Sequence, residues 1–135
     1  MVERLLIAAG LFVAANFSLS YIIPAPAGEL GWLIFPFGRV DAVKTWTFGQ
    51  IDGFPLVLML GLAGIAVLAF AGAFLATFGW WIPSDMWRPL VLVGAACSAV
   101  LFLLHLGPWA IAPLALDAVL LWVAWTSAWA PPAAT

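Results

Sequence analysis

Hydrophobic side chains fall in four long runs, separated by short stretches rich in proline, glycine or charge. They are "LLIAAGLFVAANFSLSYII" at residues 5–23, "PLVLMLGLAGIAVLAFAGAFLATFGWW" at 55–81, "PLVLVGAACSAVLFLLHLG" at 89–107, and a fourth from 108 to 130. Each is close to the roughly 20 residues that cross about 30 Å of hydrocarbon at 1.5 Å per residue. Lipid offers the backbone no hydrogen-bond partners, so such runs close their own bonds as helices. The pattern predicts one all-α domain over residues 1–135, a polytopic membrane protein built as a bundle of four transmembrane helices. Their expected positions are 4–23, 55–81, 88–106 and 109–130.

Punctuation agrees with this. Pro55 and Pro89 suit first helical turns, where a missing N–H costs nothing. Gly79, the stretch Pro83–Asp85 and the pair Gly107–Pro108 mark turns, and "APPAAT" ends the last helix. Arg4, the first run and "APA" at 25–27 have the layout of a secretory signal, but the run is longer than a usual signal core and is read as a helix.

The one long connection, 24–54, is too apolar for a solvated loop. Trp32, Phe35, Phe37, Trp46 and Phe48 alternate with Glu29, Arg39, Asp41, Lys44 and Asp52. That mixture suits a segment lying in the headgroup layer, rings in the boundary and charges in water. Residues 29–53 are therefore expected as an interfacial connection between helices one and two, either a lid on the bundle or a partner-binding surface.

Composition fixes the class. The chain is 67% hydrophobic and 7% charged, whereas a soluble domain carries about 25% charged residues. A multi-pass protein in contact with the lipid bilayer is the expectation. Net charge is −2 with no basic patch, which excludes nucleic acid as a partner. Cys97 is the only cysteine and His105 the only histidine, too few for a disulfide or a zinc site. No nucleophile–His–acid set, phosphate loop or paired membrane carboxylate is visible, so no catalytic residue is assigned and no enzyme is expected. With four spans, Arg4, Arg88 and the α-amino group share one side, and Arg39 and Lys44 take the other. This slight excess puts the termini in the cytoplasm.

Chemistry concentrates at one position. Asp117 alone among the charged residues lies within an apolar run. A carboxylate at the bilayer centre costs about 2.5–3.5 kcal/mol even on insertion scales, so it is near a surface, paired, protonated or functional. If helix four starts at Pro108, Asp117 is about 13 Å deep and Pro113 kinks the helix. If Pro113 sits in the first turn, Asp117 is only about 6 Å below the start, where the helix dipole favours it. The second geometry avoids an interior proline and is preferred. His105 then ends helix three beside the same face, and the two are expected either to form an intramembrane pair or to find separate partners.

Asn16 and Ser20 share a face four residues apart, and Ser98 is polar in helix three; Ser18 and Thr77 complete the candidates. Such groups serve as interhelical glue or, less often, line a pathway. His105 is compatible with one axial bond to a pigment or haem but has no second ligand, and no cofactor is expected. Trp80, Trp81, Trp87, Trp109, Trp125 and Trp129 cluster at helix ends and read as aromatic belts. Small residues four apart, such as Gly10/Ala14, Ala69/Ala73, Gly72/Ala76 and Gly94/Ser98, suit close helix packing or docking onto another membrane protein.

The stretch Trp87–Ala124 resembles a pattern in small uncharacterised bacterial four-helix integral membrane proteins: an aromatic–Arg–Pro opening, a Ser-bearing helix, a Trp-containing turn and an "LxxDxxLL"-like helix. The matching residues are Trp87, Arg88, Pro89, Ser98, Trp109 and Asp117; His105 stands where those proteins can carry an aromatic. The resemblance implies a bacterial four-helix membrane protein and brings no known activity; the expected location is the bacterial inner membrane. The expected function is a non-catalytic small integral membrane subunit that packs into a larger assembly or a homo-oligomer, with the aromatic connection as contact surface. The alternatives are a proton- or solute-conducting channel or carrier using Asp117, His105, Asn16 and Ser20, and a pigment-, quinone- or lipid-binding subunit.

Overall fold

Alanine, not leucine, fills the centre of this protein. The structure is a computed structural model and describes residues 1–19, 56–104, 111–126, 129 and 131. Within them lie four α-helices: α1 (Val2–Leu19), α2 (Leu56–Phe78), α3 (Trp87–Leu104) and α4 (Ile111–Thr126). A single 3-10 turn, Ser84–Met86, precedes α3.

Along α2 the buried positions are Ala63, Ala66, Ala69, Phe70, Gly72, Ala73, Ala76 and Thr77, a stripe built on three- and four-residue spacing. Leu58, Leu60, Ile65 and Leu68 point outward, Leu68 with 74% of its surface exposed. Small residues inside let α2 lie close to both α1 and α3. Large apolar residues outside would be a liability in water, and they match a lipid surround. The same inversion recurs on α4, where Ala124 is buried and Val119, Trp122 and Trp125 are exposed.

The helices run alternately up and down. At one end Phe17, Leu62, Ala63, Leu101, Phe102 and Leu114 form one cluster, which joins the C-terminal parts of α1 and α3 to the N-terminal parts of α2 and α4. The larger cluster fills the rest of the bundle, with Leu11, Phe70, Trp87, Val91 and Leu120 among its members. Sequence neighbours α2/α3 and α3/α4 pack along their lengths, as short connections require.

Helix ends follow local chemistry. Glu3 sits in the first turn of α1, where the N-terminal dipole favours an acid. Pro89 and Pro113 are both third residues of their helices as described, in first turns where no N–H is needed. α2 ends in a Schellman motif: Gly79 takes φ 67°, its N–H reaches the Ala76 carbonyl at 3.1 Å, and the Trp80 N–H reaches Leu75 at 3.0 Å. Arg88 donates to the carbonyl of Trp125 at 3.2 Å, placing a cation at the C-terminal end of α4.

Three segments, Val2–Leu19, Leu60–Phe78 and Ser84–Leu104, are long and apolar enough to cross a membrane. α4 has 16 residues, about 24 Å, just short of that length among the described residues. The expected interfacial connection at 29–53 lies outside the described residues.

Trp87 departs from the aromatic-belt expectation. It is 1% exposed, packed in the core, with its ring edge-on to Trp129 at 5.1 Å and 72°. Trp80, Trp81 and Trp125 are exposed at the surface. The first residue of α3 faces inward because Val91, Gly94 and Ala95 continue the same helical face.

Candidate functional site

Three helices bring buried polar side chains to one place. Ser18 of α1 donates its hydroxyl to the Ser98 Oγ of α3 at 3.4 Å, a long contact. Ser98 is in turn hydrogen-bonded to the Asp117 side chain of α4. Ser18 is fully buried, and Ser98 and Asp117 are each 1% exposed. Among the described residues the Asp117 Oδ2 has no hydrogen-bond partner.

Helical spacing explains the meeting. Leu11, Ala14 and Ser18 occupy one face of α1 at i, i+3 and i+7. On α3, Val91, Gly94, Ser98 and Leu101 form the matching inward stripe, and on α4 Pro113, Asp117, Leu120 and Ala124 do the same. Asp117 lies six residues from the first residue of α4, and Ser98 six from the last of α3, so both sit about 9 Å inside the same end. Antiparallel neighbours therefore put them at one depth.

The arrangement is suited to holding helices together. A hydroxyl chain running from Ser18 through Ser98 to a carboxyl ties α1, α3 and α4 across an apolar interior, where few competing partners exist. No basic side chain joins the node among the described residues, and no group of three His, Cys, Asp or Glu is close enough for a metal.

The other polar candidates go elsewhere. Asn16 donates to the Phe12 carbonyl of its own helix at 2.8 Å and lines an outer groove between α1 and α2. This groove, about 390 Å³, is otherwise apolar, with Phe12, Ala15, Val67, Ala71 and Leu75 in its walls. Thr77 donates to Ala73 of its own helix at 2.8 Å. Ser20 and His105 lie outside the described residues, as do Trp32, Phe35, Phe37, Trp46 and Phe48. The His105–Asp117 pair and a pigment or haem ligand at His105 therefore fall outside them too.

Ser18 joins the node whereas Asn16 does not, because residues two apart on a helix point about 200° apart. The signal was present in sequence: Ser18 continues the small-residue face of Ala14, whereas Asn16 does not.

Comparison with family models, with curated proteins and with solved structures finds no match to this chain.

Proposed function

We propose that this chain is a multi-pass membrane protein whose four helices all cross the bilayer, and that it serves as a non-catalytic small subunit of a larger membrane assembly or homo-oligomer. One observation carries the reading: every polar group of the node is sealed inside, whereas large apolar side chains face outward and the α1/α2 groove is apolar but for Asn16. Protein partners dock on such grooves through close packing rather than polar recognition. Support for the fourth span comes from its register. α4 pairs with α3 from Asp117 and Ser98 through Trp125 and Arg88 to Trp129 and Trp87, so both share nearly the same depth. A bacterial inner membrane with cytoplasmic termini is the matching location. The aromatic connection bearing Trp32 and Trp46 provides a second contact surface in this reading.

A conducting role would require water to reach Asp117, and its burial gives that reading no support. The test is purification of the full chain in mild detergent, followed by mass measurement and identification of whatever co-elutes. A complex larger than one copy is expected, and Ala71→Trp, which fills the groove from an exposed position, should release it. A chain that is monomeric and alone after gentle extraction and after crosslinking in the membrane would overturn the proposal.

A further inference from the structure

The turn between α2 and α3 holds one of the largest side chains of the protein outside it. Trp81 has φ 57°, a backbone region that β-carbons make costly, and it is the only such residue besides glycine among those described. Its side chain is 94% exposed. The backbone strain is held by the residues on either side, while the ring itself is left outside the bundle.

The surrounding geometry forces this display. Trp80 stacks on Phe78 with ring centroids 4.9 Å apart, which fixes the residue before. Ile82 packs towards the α2 backbone at Gly72, which fixes the residue after. The Ile82 N–H bonds to the Trp80 carbonyl at 2.6 Å, closing a three-residue turn with Trp81 at its tip. Polar residues follow at once: Asp85 and Arg88 are exposed. Apolar surface precedes: Leu68 lies ten residues, about 15 Å, before the end of α2, which is half the hydrocarbon thickness. Arg88 links the same end to Trp125, another exposed indole.

We infer that this turn is an interfacial anchor, with Trp81 held out of the bundle to lie among lipid headgroups. The indole suits that layer, with an apolar body for the acyl boundary and an N–H for phosphate or carbonyl oxygens. The inference rests on the proposed membrane-spanning reading.

Fluorine NMR of the full chain, labelled with fluorotryptophan in phosphatidylcholine–phosphatidylglycerol vesicles, tests it. Loss of one resonance in Trp81→Phe assigns the signal, and Leu68→Trp adds a reference signal on the outer face of α2. Three quenchers are compared: a nitroxide on the lipid headgroup, a nitroxide at the acyl chain end, and an aqueous nickel chelate. The Trp81 signal should be lost to the headgroup nitroxide and survive the other two, while the residue-68 signal is lost to the chain-end nitroxide. Loss of the Trp81 signal to the chelate places it in water and overturns the anchor. Survival against all three, with the reference still quenched, means protein covers Trp81 and also overturns it. A residue-68 signal untouched by the chain-end nitroxide sinks the spanning reading, and the anchor with it.

Discussion

Gly94 of α3 lies against the ring of Phe70 on α2: a β-carbon built at Gly94 would stand 3.0 Å from two ring carbons and 3.2 Å from the Ala69 β-carbon. The glycine is what allows the two helices to approach with a fully buried phenyl ring between them. Gly64, by contrast, has nothing within 4 Å of where its β-carbon would be.

The pair predicts substitutions of opposite sign. Gly94→Ala forces the buried Phe70 ring and the Ala69 β-carbon to give way, at a cost of about 1–3 kcal/mol, offset by about 1 kcal/mol of helix preference. Gly64→Ala keeps only the gain, about 0.5–1 kcal/mol. Thermal unfolding in detergent should rank Gly64→Ala above the natural chain and Gly94→Ala below it. Equal effects at both positions would show that α2 and α3 do not meet as described.

The polar node predicts non-additivity. Ser98→Ala removes the hydroxyl shared by Ser18 and Asp117, leaves the acid unsatisfied, and should cost about 1–2 kcal/mol. Asp117→Leu combined with Ser98→Ala replaces both polar partners with apolar groups and should lie closer to the natural chain than Ser98→Ala alone. A double-mutant cycle in detergent measures the coupling, expected at about 0.5–1.5 kcal/mol. A coupling of zero would remove Ser98 and Asp117 from one another's company.

Trp87 offers a third case. Its ring is buried but its Nε1 has no hydrogen-bond partner among the described residues. Trp87→Phe deletes the unsatisfied N–H and keeps most of the ring, so it should change stability by less than about 1.5 kcal/mol. Trp87→Ala opens a cavity beside Trp129 and should cost about 3–5 kcal/mol. If Trp87 instead faced lipid, the two variants would melt alike.

These residues also show how far the amino-acid order reaches. In the proposed lipid surround, the lengths of the apolar runs and the scarcity of charge call for α-helices, because a backbone without water must satisfy itself locally. Four helices lie where four runs stand; among the described residues Gly79 ends α2, and Pro89 and Pro113 sit in first turns, as their backbone chemistry allows. Hydrophobicity could not say which face of each helix turns inward, since nearly every side chain is apolar and periodicity carries little contrast. Trp87 was decided by that facing alone, whereas Ser18 could be read from the small-residue face it shares with Ala14. Only the packed bundle, through close contacts such as Gly94 with Phe70, selects the rotation of each helix. With it comes the choice of which few polar groups meet, because among side chains this uniformly apolar the discriminating forces are steric fit and a handful of hydrogen bonds.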